Sequence, residues 1–441
     1  MSTISGTRAP VASSAAIREK HKQYLFPGVI NYYKDPVVLT EGKGMYVRDA
    51  DGKRYLDFFG GILTVSLGHA EPRVTEAVVD QVRKLTHTST LYPIPAQNTA
   101  AERLIQISPI KGKQKAFFTS SGTEADETAL VLAKVYTKTT EVIALRHSYS
   151  GRTLVAMTNT AHSRYRALPA QVPGTVHAHA PYCYRCPYGA TYPSCGVRCA
   201  QDLEELILTC TTGRPAAFFA EPILGVGGFI TPPKEYFQVA VGIVRQHGGL
   251  FICDEVQTGF GRTGDVWNGI EQYGVEPDIV SYAKGIANGL PMGATLAKAE
   301  IADAFTAGSI ATFGGNPISA TAAAATIGVM VDERIPERAS RLGKRMRGRL
   351  EQMKEKHALI GDVRGMGLMQ ALELVRDRKT KEPAAAETTK LQEACKRRGL
   401  LIGKGGLYNN TVRIAPPMLI GDAEIDHACD VLDAALTEIS K

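Results

Sequence analysis

The feature that most constrains the fold of this chain is an alternation of short apolar runs with longer helical patterns. The runs are rich in β-forming residues, and a turn or a polar cluster follows each of them. Such an alternation is typical of a mostly parallel sheet with helices on both faces. We therefore predict an α/β fold with strands at 115–119 (KAFFT), 141–145 (EVIAL), 216–220 (AAFFA), 250–253 (LFIC) and 278–282 (DIVSY).

The two ends of the chain follow a different pattern. Near the start, Asp51-Gly52 lies between two alternating runs, which predicts a β-hairpin. From about Pro336 a long charged amphipathic helix is followed by shorter pieces and a last helix. We expect both ends to form a smaller α+β domain. The predicted division is 1–70 (N-terminal arm and part of the small domain), 71–325 (large domain) and 326–441 (C-terminal small domain).

The charge balance argues against a nucleic-acid partner. The chain of 441 residues has 51 Lys and Arg against 44 Asp and Glu, a net charge of +7, with no block of like charges. A nucleic-acid surface would concentrate that charge. Small molecules are therefore the expected partners.

No segment predicts a membrane association. The first 20 residues lack the apolar core of a secretory signal, so we expect a cytoplasmic location. They hold no acidic residue before Glu19, which leaves a weak transit peptide open beside a simple N-terminal arm. The stretch 310–331 is uncharged, but Gly314, Gly315 and Pro317 predict a loop and then a buried Ala-rich helix.

Small polar residues follow the predicted strand 115–119. Ser121, Gly122 and Thr123 lead into an Ala/Leu-rich helix. Ligands of a parallel sheet bind beyond the carboxyl ends of the strands, and the N–H groups at a helix N-terminus suit a phosphate. The same residues also form ordinary helix caps, so this motif alone leaves both interpretations open.

Three further side chains follow the other strands. Tyr149 comes after 141–145, Asp254 directly after 250–253, and Lys284 shortly after 278–282. Together with a phosphate cradle, these residue types match the needs of pyridoxal 5'-phosphate, whose aldehyde forms a Schiff base with an amine and whose pyridinium nitrogen pairs with a carboxylate. Taken one at a time, these motifs are equally explained by a solvated lysine or by a polar cap in a loop. All four motifs in this order favour a cofactor site.

The motifs also resemble a known family. The order SSGTEAD, YSGRT, AEPI, DEVQTGFGRTG, AKGIANGLPMGA, TFGGNP and VRIAPP is similar to that of the class III aminotransferases, pyridoxal-phosphate enzymes of fold type I. The resemblance runs from about Tyr46 to the C-terminus. Within the class, DFFGGILTVSLGH, HTSTLYPIPAQ, GDVRGMGLM and GLLIGKGG look most like the alanine–glyoxylate aminotransferase 2 branch, among the ω-aminotransferases.

The resemblance implies a role for each matching residue of the cofactor site. Lys284 would form the Schiff base and then act as the base that moves a proton. A cationic neighbourhood would favour its neutral form. The remaining roles are Asp254 on the pyridinium nitrogen, Gln257 on the ring hydroxyl, Tyr149 stacked on the ring, and Ser121, Gly122 and Thr123 on the phosphate.

Two more roles follow from the resemblance. Thr312 would reach the phosphate from the partner subunit, which implies a homodimer or a dimer of dimers with shared active sites. Arg413 would hold a substrate carboxylate by a bidentate pair. A surface or interface ion pair is the alternative for Arg413.

The sequence departs from the family pattern at two positions. Relatives that use 4-aminobutyrate or ornithine often carry a glutamate four residues after the proline of the Glu-Pro pair, and Val226 occupies that position here. Without this gate on Arg413, we expect short substrates such as alanine, β-alanine, pyruvate or glyoxylate. Ser150 stands where relatives often have His or Trp, so we expect a roomier pocket wall.

Four cysteines form the cluster Cys183-x2-Cys186-x8-Cys195-x3-Cys199 in a Tyr/Pro-rich insertion. Four thiolates can ligate zinc, but the spacing after the first pair is shorter than in common zinc modules. Because the family's chemistry needs no metal, we predict reduced thiols and no metal site, with a structural zinc as the open alternative.

The leading functional hypothesis is an aminotransferase that runs two half-reactions by a ping-pong mechanism, with an amino donor and a keto acid as partners. A second hypothesis is a pyridoxal-phosphate lyase that eliminates ammonia or phosphate from a phosphorylated or phosphonate amine. A third is a non-catalytic binding protein on the same fold. The cofactor residues do not separate the first two, because the chemistry is shared up to the carbanion.

Overall fold

Three main β-sheets organise residues 13–169 and 171–440, which the computed structural model describes. The transit-peptide alternative concerns a segment whose first 12 residues lie outside this range. The strands are β1 (Leu39–Lys43), β2 (Tyr46–Asp49), β3 (Arg54–Asp57), β4 (Gln114–Thr119), β5 (Val142–Leu145), β6 (Thr175–Ala178), β7 (Ala217–Ala220), β8 (Leu250–Asp254), β9 (Ile279–Tyr282), β10 (Gly293–Lys298), β11 (Ile360–Met366), β12 (Met369–Asp377), β13 (Glu382–Pro383), β14 (Leu400–Leu401), β15 (Gly403–Gly405) and β16 (Thr411–Ile414).

Helices connect most of these strands. They are α1 (Ser14–Tyr24), α2 (Gly60–Leu63), α3 (Pro72–Lys84), α4 (Pro95–Gln106), α5 (Gly122–Thr137), α6 (Leu154–Asn159), α7 (Arg198–Cys210), α8 (Tyr236–Gln246), α9 (Ala299–Ala302), α10 (Pro317–Asp332), α11 (Ile335–Lys356), α12 (Ala385–Arg397) and α13 (Asp422–Ile439). Within the described residues, no helix combines the length and apolar character needed to cross a bilayer.

The central sheet has seven strands in the order β4-β10-β9-β8-β7-β5-β6. The neighbours from β9 to β6 are parallel, and β10 runs antiparallel to both β4 and β9. The predicted α/β class and the five predicted strands are confirmed. Sequence reasoning missed β6 and β10. Both carry polar or small residues in place of the continuous apolar run that marks a strand buried on both faces.

Neighbouring residues of one central strand face opposite sides of the sheet. Phe218 packs in the same hydrophobic cluster as Phe237 of α8, whereas Phe219 packs in a second cluster with Leu130 of α5. This follows from the two-residue period of a strand. Because helices cover both faces, all four residues of β7 are buried.

The two predicted helices near the C-terminal part are confirmed. The stretch 310–331 forms a loop followed by α10, whose alanines are mostly buried and pack against α3 and α4. In α11, the side chains of Ala339, Leu342, Met346, Leu350 and Met353 repeat at helical spacing and are buried.

The two smaller sheets join the ends of the chain. The predicted hairpin is present as β2 and β3, and β3 pairs in parallel with β14 from the C-terminal part. The third sheet has the order β11-β12-β16-β15. A small apolar cluster connects this sheet to the central one, because Met369 and Ala415 pack with Ile223 and Phe229. The strand that carries Arg413 is thereby placed close to the carboxyl ends of the central strands.

Candidate active site

One cavity of about 310 Å³ lies at the carboxyl ends of the central strands. The turns after β4, β5, β8 and β9 all contribute to its wall, as expected for a parallel sheet. Seven of the residues predicted from the sequence line it: Ser121, Gly122, Thr123, Tyr149, Asp254, Gln257 and Lys284.

The turn between β4 and α5 forms a compact helix N-terminus beside the cavity. Ser121 is the N-cap of α5, and its Oγ accepts a hydrogen bond from the backbone N–H of Glu124 at 3.3 Å. A Cβ on Gly122 would lie 3.2 Å from the Cβ of Ala283. The turn after β9 therefore approaches this helix end closely, and free N–H groups of the first turn are available for an anion.

Asp254 and Lys284 come from the neighbouring parallel strands β8 and β9. Asp254 is the last residue of β8 and is only 4% exposed, and its Oδ1 accepts a hydrogen bond from the backbone N–H of Val256 at 2.9 Å. Burial raises the pKa of Asp254 to about 6, while Lys284 opposes the shift. An opposite charge at the cavity, such as a pyridinium, would favour the ionised form of Asp254.

Lys284 occupies an unusual backbone conformation at the start of a short 3₁₀ turn. Its φ is +45°, in the left-handed region that non-glycine residues seldom adopt. Burial lowers the pKa of Lys284, although Asp254, Glu221 and Asp126 act in the opposite direction. The net direction favours the neutral amine, which is the nucleophilic form.

Two buried carboxyl groups near this pair had no role assigned from the sequence. Asp126 accepts a hydrogen bond from Oγ of Ser281 at 2.5 Å, and burial together with the charge of Asp254 raises the pKa of Asp126 well above its usual value. Glu221 accepts the backbone N–H groups of Tyr149 at 3.1 Å and Gly225 at 2.7 Å, and burial raises the pKa of Glu221 to about 8. Glu221 follows β7 directly, so the rule that found Asp254 applies to it too.

The cavity leaves polar groups for which pyridoxal phosphate has partners. Oε1 of Gln257 is buried and has no hydrogen-bond partner among the described residues, and a ring hydroxyl would supply one. Tyr149 presents its ring at the cavity and contacts Tyr165 edge to face, with the centroids 5.3 Å apart. A lysine, a carboxylate, an aromatic ring and a helix N-terminus in one cavity fit the chemistry of this cofactor.

Two predicted residues lie outside the cavity wall. Thr312 is exposed in the loop before α10. Arg413 on β16 is 3% exposed, and its guanidinium donates to the carbonyl oxygens of Lys404 at 3.1 Å and Gly225 at 3.4 Å. It lies over the ring of Phe59 at 4.8 Å. Among the described residues the hydrogen-bond partners of the Arg413 guanidinium are the carbonyl oxygens of Lys404 and Gly225 and the hydroxyl of Tyr32, none of them a carboxylate. An ion pair at an interface stays the alternative to carboxylate binding.

Of the two departures from the family pattern, Val226 lies close to Arg413 and Ser150 lies in the cavity wall. Val226 is 9% exposed, and its carbonyl oxygen accepts the N–H of Gly406 at 2.9 Å. A Cβ on Gly405 would lie 2.8 Å from Nε of Arg413 and 3.1 Å from the oxygen of Val226, so both residues approach the same glycine. Ser150 lines the cavity with a small side chain.

The four clustered cysteines come together beside Tyr188 and Tyr192. All four line one narrow cavity of about 20 Å³, and all eight cysteines of the chain, which belong to the described residues, are free thiols. Within residues 13–169 and 171–440, no group of three or more His, Cys, Asp or Glu side chains is arranged to hold a metal ion.

Comparison with known proteins places this arrangement in a family. A model of the class III aminotransferases matches residues 30–436. An Arabidopsis thaliana protein named alanine–glyoxylate aminotransferase 2 homolog 2, mitochondrial, is 42% identical over 97% of this chain and 88% of its own. An (S)-enantioselective ω-transaminase from Thermomicrobium roseum superposes with a TM-score of 0.88 at 33% identity, over 98% of this chain and 99% of that one.

A second solved structure bears on the cofactor. An amine transaminase from an uncultivated Pseudomonas species, described in its pyridoxal-phosphate-bound form, has a TM-score of 0.87 and 31% identity. It covers 94% of this chain and 98% of its own. The similarity extends over nearly the whole length of each chain, so it includes both the central sheet and the smaller sheets.

Proposed function

The chain belongs to the class III aminotransferases, and from this we propose that it transfers the amino group of a short amino acid or ω-amine to a keto acid such as pyruvate or glyoxylate. The enzyme is a pyridoxal-phosphate-dependent aminotransferase of fold type I. The proposed roles of its residues depend on one observation: Lys284, Asp254 and the N-terminus of α5 line the same cavity.

Each cavity residue has a distinct task in this proposal. When bound, pyridoxal phosphate supplies an aldehyde for a Schiff base and a ring that accepts electrons from the substrate's C–H bond. Asp254 would pair with the protonated ring nitrogen, and Oε1 of Gln257 would accept a hydrogen bond from the ring hydroxyl. Ser121, Gly122 and Thr123 bind the phosphate with backbone and side-chain donors. Tyr149 covers one face of the ring.

Lys284 is the proposed catalytic base. Burial favours its neutral amine, which can bind the cofactor's aldehyde and, once displaced by substrate, take the proton from the substrate's reacting carbon. The carboxylate of Asp254 limits this lowering of the pKa of Lys284.

Arg413 is the proposed carboxylate-binding residue. It is buried beside the loop 224–230, and its partners among the described residues are carbonyl and hydroxyl oxygens, so a substrate carboxylate could serve as its counter-ion. Because Val226 replaces a gating glutamate, short substrates with one carboxylate suit this arginine. The Arabidopsis thaliana relative is named for alanine and glyoxylate, which agrees with this size class.

The half-reaction spectrum tests the proposal and its alternatives. L-alanine, β-alanine and a phosphonate-bearing amine are added separately to the holoenzyme without keto acid. The lysine-bound cofactor absorbs at about 410–430 nm. Loss of this band together with release of the keto acid supports transamination. If the band persists while ammonia or phosphate is released, the enzyme is a lyase. If the purified protein shows no such band, it is a non-catalytic binding protein.

A lysine variant connects that spectrum to the assigned residue. Lys284→Met should abolish the absorbance band and lower the half-reaction rate by at least about 10³-fold. Lys344→Met, on the exposed side of α11, should change neither. A normal band in Lys284→Met would show that another lysine binds the cofactor.

We further propose a homodimer or dimer of dimers in which Thr312 reaches the phosphate site of the partner subunit. The exposed position of Thr312, outside the cavity of its own chain, supports this arrangement. Sedimentation equilibrium measures the mass, and Thr312→Ala should weaken cofactor affinity. A monomer with unchanged affinity would refute both statements.

The division at residues 70 and 325 and the cytoplasmic location are also proposals. Pairing of β3 with β14 supports a small domain built from both ends of the chain. Limited proteolysis should therefore cut near these two boundaries before it cuts the central sheet. Fractionation of cells that express the full chain tests the location, and recovery of a shortened protein in an organelle would favour the transit peptide.

A further inference from the structure

A cluster of buried charged side chains lies outside the cavity. We name it the Glu373 cluster. It consists of Glu373 of β12, Arg364 of β11, and Tyr182 and Arg185, which lie at the start of the insertion that carries the four clustered cysteines. The carboxylate of Glu373 is fully buried and accepts hydrogen bonds from Nη1 of Arg364 at 2.6 Å, Nε of Arg185 at 2.5 Å, and the hydroxyl of Tyr182. The cluster therefore joins the third sheet to the insertion before α7.

The charges in this cluster are balanced so that Glu373 stays ionised. Burial by itself would raise the pKa of Glu373, but Arg364, Tyr182 and Arg185 hold it below the usual value. Arg364 has a second partner in Asp362 at 2.9 Å. With Nδ2 of Asn410 at 3.4 Å as a further, longer donor, the buried carboxylate receives four hydrogen bonds and is held in one geometry.

The cluster contacts the same loop as the proposed substrate arginine. Nε of Arg364 donates to the carbonyl oxygen of Gly228 at 2.9 Å, and Nη1 of Arg413 donates to that of Gly225 at 3.4 Å. A Cβ on Gly228 would lie only 2.8 Å from Oγ1 of Thr411. The loop 224–230 is therefore packed tightly against β16.

The strand register places the two arginines in the same row of one sheet, with Ala371 of β12 between them. Arg364 pairs with Ala371, and Ala371 pairs with Arg413. Glu373 pairs with Thr411, two residues before Arg413 on β16. A shift of Glu373 would consequently move the segment of β16 that carries Arg413.

The other end of the cluster is connected to the cofactor side. The ring of Tyr182 contacts that of His147 edge to face, with the centroids 5.6 Å apart. His147 precedes Tyr149 by two residues, and Tyr149 lines the cavity. The cluster therefore bridges the turn that carries Tyr149 and the strand that carries Arg413.

We propose that the Glu373 cluster sets the position of Arg413 relative to the cofactor site, so that Arg185 and Glu373 act as positioning residues for substrate carboxylates. This rests on the proposed role of Arg413. Arg185 lies in the insertion, remote in sequence from Glu373 and from Arg413, and it does not line the cavity. Its effect is therefore expected on carboxylate binding and not on the cofactor's own chemistry.

Arg185→Met is the variant of choice for the test. It removes one donor and leaves Glu373 paired with Arg364 and Tyr182, so no buried charge loses all of its partners. Half-reactions of the holoenzyme are measured with L-alanine and with n-propylamine, which has no carboxylate. We expect the KM for L-alanine to rise about tenfold, with the maximal rate, the reaction of n-propylamine and the cofactor absorbance unchanged.

Two matched variants make the result specific. Arg185→Lys keeps the charge and should recover most of the affinity for L-alanine. Arg345→Met removes a surface ion pair with Asp426, between α11 and α13, and should change nothing. An equal effect of Arg185→Met on both amines, or no effect on either, would overturn the proposal.

Arg413→Met separates this inference from the proposed function. If it abolishes the advantage of L-alanine over n-propylamine while Arg185→Met does not reduce it, Arg413 binds the carboxylate and the positioning role is wrong. If Arg413→Met leaves that advantage intact, the proposed function of Arg413 itself fails. Thermal unfolding of each variant checks that the fold is retained.

Discussion

A methyl group on Gly151 would lie 2.1 Å from Oγ1 of Thr123, so the turn after β5 and the first turn of α5 leave no room for a Cβ. Gly151 also has φ +138°, which favours glycine. Gly151→Ala should displace Thr123 and weaken pyridoxal phosphate binding about tenfold, the loss of roughly one hydrogen bond to a charged group. Titration of the apoenzyme with the cofactor measures this.

The control for that substitution is Gly112→Ala. Gly112 has a positive φ of +76° but nothing within 4 Å of its Cβ position, so it reports backbone strain without the contact to Thr123. Equal cofactor affinities of the two variants would show that strain, and not the position of Thr123, weakens binding.

Val226→Glu tests the missing gate on Arg413. A carboxylate at this position would lie beside Gly405, which Arg413 also approaches, and would compete with the substrate for the guanidinium. We expect kcat/KM for L-alanine to fall about tenfold, as one charge-assisted bond is lost. 4-Aminobutyrate should be affected less. Val226→Gln has nearly the same shape without charge, and an equal loss in both variants would contradict the electrostatic explanation.

Asp126→Asn and Asp254→Asn should have very different effects. The pKa of Asp126 is raised well above its usual value, so its neutral carboxyl is close to an amide in shape and charge. Asp254 must be ionised to stabilise a protonated ring nitrogen. We expect a loss of kcat/KM of at least about 10²-fold for Asp254→Asn and a change of less than about threefold for Asp126→Asn. Similar losses in both would refute the neutral state of Asp126.

The burial of His147 predicts that acidic pH lowers the free energy of unfolding of this protein. Burial lowers the pKa of His147 to about 4 from its usual 6.5, so the unfolded chain binds this proton first as the pH falls. The folded state therefore loses stability between about pH 6.5 and 4, by about 3 kcal/mol for this group. Above about pH 7 the group contributes no pH dependence.

His147→Asn is the variant that isolates this group. Asparagine tolerates the positive φ of +67° at this position and does not titrate. Urea unfolding of both proteins at several pH values should show a smaller loss of unfolding free energy in the variant on acidification. Parallel curves would show that His147 is protonated in the folded state or unimportant to it.

The Cys-rich insertion should hold reduced thiols. The four sulfurs line one cavity, but no metal-binding arrangement exists among the described residues. We expect less than about 0.1 zinc ion per chain in protein purified without added metal, since a structural site would be close to full occupancy. One zinc per chain, lost in Cys183→Ser but kept in the exposed control Cys210→Ser, would contradict this.

Local sequence patterns were sufficient to predict several strands and the candidate site residues that follow them. The mainly apolar runs of β5, β7 and β9 were identifiable because both of their faces are buried, and Ser281 is the one polar residue in these three strands. Asp254 and Lys284 were found because parallel strands end at the same edge of a sheet, which brings the next polar residues together. The family resemblance assigned their roles, and the comparisons confirm the family, the fold class and the cofactor.

Other features had no local signal. Glu221 follows a strand just as Asp254 does, but the Glu-Pro pair did not reveal that its carboxylate accepts the N–H of Tyr149. Arg185 and Glu373 are 188 residues apart, and neither position is unusual in its own segment. The polar strands β6 and β10 are defined by the neighbours with which they pair and not by their composition.

The sequence by itself determined which residue types stand at the strand ends, because periodicity, caps and turns act over a few neighbouring residues. Only the tertiary structure decided which of these residues share the cavity, that Arg413 lies buried beside the loop 224–230, and that Glu373 connects it to the insertion. These depend on sheet order and packing between distant segments. Their physical reason is that a buried charge is stable only where distant partners arrive together.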